Sequence, residues 1–99
     1  MLRPIIFGVL VMTSISGHAN TFRFTAIPDQ NTTRLSERFN KVAAYLAQEL
    51  SIEVEYVPVK SYSASVAAFK NNQVQLAWFG GLSGVQARRA VRGSQAIAQ

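Results

Sequence analysis

The stretch best suited to do chemistry is "QLAWFGGLSGVQARRA", in which a glycine pair separates an apolar run from a helix-like segment. Glycine permits positive φ angles and lets backbone N–H groups approach a ligand, because no Cβ stands in the way. Ser83 is a suitable N-cap, and Gln86 three residues later completes a capping box. Unpaired N–H groups and the helix dipole both attract anions to a helix N-terminus. The pattern predicts a small-anion site that includes Phe79, Gly80, Gly81 and Ser83.

Two further turns offer the same ingredients. Asn31, Thr32 or Thr33 can cap a helix after "TFRFTAIPDQ", and Ser61 can cap one after "IEVEYVPVK". For any single turn, an ordinary cap is the simpler explanation, and a tyrosine at the position of Tyr62 is usually a core residue, so only the combination of turns indicates a ligand site. The residues predicted to contact the ligand in these two turns are Pro28, Asp29, Gln30, Thr32, Ser61 and Tyr62.

The elements that must position these turns follow from hydrophobic periodicity. "TFRFTAIP" places Phe22, Phe24 and Ala26 on one face of a strand and Thr21, Arg23 and Thr25 on the other. A first helix follows, whose apolar positions, at helical spacing, are Leu35, Phe39, Val42, Leu46 and Leu50.

The pattern then repeats twice. "IEVEYVPV" predicts a second strand, and a second helix begins at Ser61 with Tyr62, Val66 and Phe69 on one side and ends at Asn71 and Asn72. "VQLAWF" predicts a third strand, covered on both faces, and the third helix runs from Ser83 to about Val91.

This alternation predicts an α/β fold with a short parallel sheet in the order β-α-β-α-β-α along the chain. In parallel sheets of this kind, ligands bind beyond the carboxyl ends of the strands, where the strand order reverses. The three turns described above follow those carboxyl ends. The predicted site is therefore one rim of the sheet.

Composition argues against several other functions. The chain has no cysteine, and its single histidine, His18, lies in a segment expected to be removed, so an enzyme, a cofactor and a metal centre are all without support. Asp29 is the only acidic residue at the predicted site. Of the basic residues, only Arg88, Arg89 and Arg92 cluster, without interleaved aromatic residues, which does not favour nucleic acid as a partner.

The first 19 residues are expected to form a cleavable signal peptide. "MLRPIIFGVLVMTSISGHA" has a basic start, an apolar core from Ile5 to Met12 that is short for a membrane span, and small residues before a cleavage site at Ala19. Removal of this segment leaves nine of the ten basic residues against five acidic ones, a net charge of +4. An exported chain without cysteine is consistent with a bacterial periplasm.

Three segments together resemble the periplasmic substrate-binding proteins of phosphonate-type ABC importers. They are "FTAIPDQNTTRLSERFNKVAAYL", "VEYVPVKSYSASVAAFKNNQVQLAWFGG" and "LSGVQAR". Within that group the chain resembles sequences described as binding proteins of selenate transporters. The resemblance implies a two-lobed fold of the type II periplasmic-binding-protein class that closes on an oxyanion, such as selenate, phosphonate or phosphite, and delivers it to a membrane permease.

The resemblance also implies that residues 20–99 are the N-terminal part of the first lobe. The predicted site residues would then form its ligand wall, and a second lobe would supply the rest of the cleft. On this basis we expect the chain alone to bind its anion weakly or not at all, because half a cleft cannot close, and we expect the full-length form to be a monomer.

Two alternative functions remain open at the level of sequence. One is a small envelope-anchored interaction protein that keeps its N-terminal helix. The other is a regulatory effector-binding domain of the same fold, which would require a DNA-binding helix-turn-helix and a cytoplasmic location.

Overall fold

The computed structural model describes residues 21–98, and the predicted signal peptide lies outside them. Strands and helices alternate three times, as predicted. They are β1 (Phe22–Ala26), α1 (Thr32–Leu50), β2 (Val54–Tyr56), α2 (Tyr62–Lys70), β3 (Leu76–Trp78) and α3 (Gly81–Ala90).

The three strands form one parallel sheet in the order β2-β1-β3, so the first strand of the chain is the central one. Phe24 stands opposite Tyr56 of β2 and opposite Leu76 of β3. The crossover from β1 to β2 runs in one direction across the sheet, and the crossover from β2 to β3 runs back in the other. Because such crossovers are right-handed, they place α1 and α2 on opposite faces of the sheet.

The core on the α1 face is aromatic. Phe24, Phe39 and Tyr56 are each at least 93% buried, and their ring centroids lie 5.2 to 5.9 Å apart. Leu35, Ala43 and Ala26 complete this cluster. Burial raises the pKa of the Tyr56 hydroxyl above its ordinary value. The period-2 and helical patterns of the sequence therefore identified the central residues of this layer.

The opposite face is covered by small residues, and here the prediction was wrong in detail. Thr25, on the face of β1 opposite Phe24, is fully buried although its side chain is polar. In α2 the buried residues are Ser65 and Ala68, whereas Tyr62, expected to share an apolar side with Val66 and Phe69, is 49% exposed. Small side chains allow α2 and α3 to approach each other closely, and these two helices pack together.

Two expectations about the edges of the fold were also wrong. β3 was expected to be covered on both faces, but its residues are only partly buried and Trp78 is 60% exposed, with its ring 5.8 Å from that of Phe39. Leu50, at the end of α1, is also largely exposed. Within residues 21–98, no helix combines the length and the apolar character needed to cross a bilayer.

Candidate functional site

The turn between β1 and α1 is built by Asn31, one of the three predicted caps. Its side-chain oxygen accepts hydrogen bonds from the backbone N–H groups of Thr33 (2.9 Å) and Arg34 (3.3 Å). The preceding residues Pro28, Asp29 and Gln30 form the turn itself, and Asp29 donates its N–H to Ile27. The cap thus fixes where α1 begins and leaves the Thr32 N–H at the open end of the helix.

We expect Asn31→Ala to lower the free energy of unfolding by about 1 kcal/mol, because two N–H groups lose their acceptor. Asn40→Ala is the matched control, since Asn40 lies exposed in the middle of the same helix, where alanine is favourable. Urea denaturation followed by circular dichroism measures both variants. Equal stability of the two variants would contradict the assignment of the cap.

The turn between β2 and α2 is capped by Ser61, as predicted. The Ser61 hydroxyl accepts a hydrogen bond from the Ala64 N–H at 3.0 Å. Tyr62 is the first residue of the helix, and its half-exposed ring stands at the same end.

The start of α3 differs from the prediction. The N-cap is Gly80, and Ser83 is the third residue of the helix, so the expected capping box between Ser83 and Gln86 is wrong. The Ser83 hydroxyl instead reaches back and accepts a hydrogen bond from the Gly80 N–H at 3.0 Å. Serine is suitable both as the N-cap and as the third residue of a helix, because at either position its hydroxyl can accept a hydrogen bond from an N–H group that lacks an intrahelical acceptor.

The glycine pair is not there for positive φ angles, which is a second correction. Gly80 has a φ of −91°, Gly81 is helical, and within residues 21–98 the glycine with a positive φ is Gly93. A Cβ added at Gly81 would meet no atom within 4 Å. Neither the backbone nor the packing therefore requires glycine at position 81, and the space above it is open to an incoming molecule.

The topology brings the three turns to one rim of the sheet. All strands are parallel, so each turn leaves from a carboxyl end. Ile27 donates its N–H to the Trp78 carbonyl at 3.0 Å, and a Cβ on Gly80 would lie 3.5 Å from the side chain of Ile27. On the other side of β1, Val57 donates its N–H to the Phe24 carbonyl at 2.8 Å.

Strand order reverses at β1, which is the place where α/β sheets of this kind open a crevice. After β1 the chain enters α1 on one face of the sheet, and after β3 it enters α3, which packs with α2 on the other face. The turns that contain Asp29 and Gly81 therefore diverge around a gap. We call the three turns, residues 28–32, 57–63 and 79–83, the carboxyl rim.

The carboxyl rim presents backbone N–H groups that have no partner among the described residues. In α3 these are the N–H groups of Gly81, Leu82 and Ser83, and in α2 those of Tyr62 and Ser63. Ser63 and Leu82 were not among the predicted site residues. They follow from the cap positions, because the first N–H groups of every helix lack an intrahelical acceptor.

The charges on the rim are unusual for helix starts. Asp and Glu are favoured in a first turn, where they balance the dipole, yet none of the three helices has an acidic residue there. In α1 the first turn even contains Arg34. Three helix N-termini without a carboxylate of their own leave the positive end of each dipole available to an external anion.

Two of the predicted site residues lie beneath this surface. The Phe79 ring packs edge-on against Phe69 at 5.6 Å, and Ser83 is 96% buried, with its hydroxyl engaged by Gly80. Asp29, Gln30, Thr32, Ser61 and Gly81 are exposed, and Pro28 is half-buried. No group of His, Cys, Asp and Glu side chains within residues 21–98 is arranged to hold a metal ion.

A short parallel sheet whose carboxyl ends lead into helix N-termini with free N–H groups is a framework suited to binding a small anion. The chain belongs to the family described as "ABC transporter, phosphonate, periplasmic substrate-binding protein", whose model matches residues 24–99. The resemblance drawn from the sequence segments is thereby confirmed, as is the type II periplasmic-binding-protein fold.

Two comparisons concern one relative, PhnD1 of Prochlorococcus marinus (strain MIT 9301), a probable ABC transporter phosphite binding protein. It is 50% identical over 74 residues, which are 75% of this chain and 25% of that protein. The structure of PhnD1 from that strain in complex with methylphosphonate matches with a TM-score of 0.78 at 47% identity, over 80% of this chain and 29% of that one. The chain thus spans about a quarter of the length of this relative. Neither comparison mentions selenate.

Proposed function

We propose that residues 21–98 form one wall of the solute site in a periplasmic binding protein of an ABC importer, and that the solute is a small phosphorus oxyanion, a phosphonate or phosphite. Family membership supports the transport role, and the ligands in the names of the relatives support the chemical class. The role is one of binding rather than catalysis. Selenate, the ligand suggested by the sequence resemblance, is also a small oxyanion, but the descriptions of PhnD1 name phosphite and methylphosphonate instead.

The observation that carries the proposal is the combination of free amides on the carboxyl rim with first helical turns that contain no carboxylate, Asp29 being the one acidic residue of the rim. A tetrahedral anion offers several oxygens, each of which can accept a hydrogen bond from an N–H group of Tyr62, Ser63, Gly81 or Leu82. Such bonds to a charged acceptor are about twice as strong as bonds between neutral groups. Because no side-chain carboxylate occupies these helix starts, binding an anion there displaces only water.

The residues in contact with the solute are proposed by position. Pro28, Asp29, Gln30 and Thr32 border the gap from β1, and Gly80 and Gly81 border it from β3. Ser61 and Tyr62 approach from α2, where the phenol adds an aromatic surface and a hydroxyl.

The rest of the transport cycle belongs to the same proposal. Residues 1–19 direct export and are removed, a second lobe closes over the anion, and the closed form docks on an inner-membrane permease as a monomer. Closure surrounds the ligand from both sides, so the wall alone is expected to bind in the millimolar range.

The test is a titration of the ¹⁵N-labelled chain with methylphosphonate, observed by NMR, which detects weak binding residue by residue. We expect saturable shifts of the amide signals of Tyr62, Ser63, Gly81 and Leu82, with millimolar midpoints. Methylammonium, a cation of similar size, is the matched control and should leave these signals in place. Shifts confined to Arg88, Arg89 and Arg92 would contradict the proposal, since they would show only nonspecific attraction to a basic surface.

A further inference from the structure

Three of the described residues are buried and polar, and all three are hydroxyl side chains bonded to the backbone that forms the carboxyl rim. Thr25 is 0% exposed, Ser65 is 0% exposed and Ser83 is 4% exposed. Buried polar groups are costly unless they are hydrogen-bonded, so their partners show what they stabilise.

Each hydroxyl engages a different part of the rim. Thr25 donates to the Val57 carbonyl at 2.6 Å, just after β2 and at the start of the turn that leads to Ser61. Ser65 donates to the Tyr62 carbonyl at 2.6 Å, in the first turn of α2. Ser83 accepts from the Gly80 N–H at 3.0 Å.

The bonds of Thr25 and Ser83 lie just beyond the carboxyl ends of β2 and β3. β2 ends at Tyr56, so the Val57 carbonyl lies beyond the strand, and the bond from Thr25 holds it against the central strand. Gly80 has an extended conformation and no side chain of its own, and the bond to Ser83 fixes the orientation of the Phe79–Gly80 peptide, one residue before the first helical residue Gly81. In both cases a buried hydroxyl is bonded to the backbone between the end of a strand and the helix whose first N–H groups are free.

We infer that Thr25, Ser65 and Ser83 are positioning residues for anion binding: they hold the rim so that its amides already face the ligand before the ligand arrives. The inference rests on the proposed function and adds to it. Groups held in place before binding lose less freedom when the ligand binds, so affinity rises without a new contact to the ligand. A hydroxyl that only filled the core would contribute to stability and not to the order of the rim.

The experiment uses the full chain and compares removal of the hydroxyl with its retention. Thr25→Val keeps the shape and removes the hydroxyl, whereas Thr25→Ser keeps the hydroxyl. Ser83→Ala tests the second position independently. Two readouts are taken: amide hydrogen exchange on the rim, and the methylphosphonate dissociation constant from NMR shifts.

Two controls separate positioning from stability. Val74→Ala removes buried volume just before β3, at the end of that strand opposite the rim, and should lower stability without changing the rim. Ser94→Ala removes a hydroxyl that donates to the Val91 carbonyl at 2.8 Å, which is the same kind of bond placed after the end of α3.

We expect Thr25→Val and Ser83→Ala each to weaken methylphosphonate binding about tenfold, as the loss of one hydrogen bond does to an equilibrium constant. Exchange should accelerate by a similar factor at residues 60–63 in the first variant and at Gly80 in the second. Thr25→Ser should restore both readouts.

The inference is overturned if the two hydroxyl-removing variants match Val74→Ala in stability, exchange and affinity. If the unmodified chain shows no amide shifts with methylphosphonate, the proposed function fails, while the exchange comparison still decides whether these hydroxyls order the rim.

Discussion

Phe39→Ala is expected to lower the free energy of unfolding by about 3–5 kcal/mol, the usual cost of deleting a large buried aromatic side chain. The ring of Phe39 lies 5.9 Å from Phe24, 5.2 Å from Tyr56 and 5.8 Å from Trp78, so it joins the helix α1 to all three strands. A domain of this size has only about 5–15 kcal/mol of stability. The substitution therefore removes a large part of it, and a substantial population of unfolded chain is expected at 37 °C.

Trp78 makes this measurement direct. It is the only tryptophan of the chain, and its contact with Phe39 means that its fluorescence reports on the cluster during urea denaturation. Tyr45→Ala is the matched control, because Tyr45 lies on the same helix but is 62% exposed, and its removal should change stability by less than about 0.5 kcal/mol. A loss below 1 kcal/mol for Phe39→Ala would show that the aromatic cluster is not the centre of the core.

The sequence predicted the elements and their order well, because the apolar face of α1 and the alternation in β1 are strong local signals. The cap Ser61 was identified for the same reason, because it comes just before a periodic segment, whereas Asn31 was one of three candidates for the cap of α1. The start of α3 was predicted wrongly, because serine is suitable both as a cap and as the third residue of a helix. Only the fold shows that Gly80 is the cap.

Contacts between residues that are distant in the sequence could not be predicted from its local hydrophobic periodicity. The alternation with Phe24 assigned Thr25 to a strand face but could not show its hydrogen-bond partner, because the Val57 carbonyl lies 32 residues away in the sequence. The central position of β1 could not be predicted either, because it depends on pairing between strands that are far apart in the sequence. The sequence therefore predicted which turns form the carboxyl rim, whereas the buried hydrogen bonds from side chains to its backbone are visible only in the structure.

Gly81→Asp separates folding from binding, because its effects on the two have opposite signs. A carboxylate at the first position of α3 interacts favourably with the helix dipole, and a Cβ at Gly81 meets no neighbour, so stability should rise by about 0.3–1 kcal/mol. The same carboxylate would occupy the place proposed for the ligand. Two unit charges 4 Å apart repel by about 4 kcal/mol near a protein surface, so methylphosphonate binding should weaken by at least about a hundredfold.

Gly81→Asn is the matched control for this variant, because asparagine has nearly the same size and shape as aspartate and carries no charge. Steric exclusion alone would weaken binding equally in both variants, whereas the proposed anion site requires a much larger loss for aspartate. Thermal unfolding gives the change in stability, and the NMR titration with methylphosphonate gives the change in affinity. If Gly81→Asp binds as well as Gly81→Asn does, the anion does not bind at the N-terminus of α3, and the carboxyl rim loses its main proposed contact.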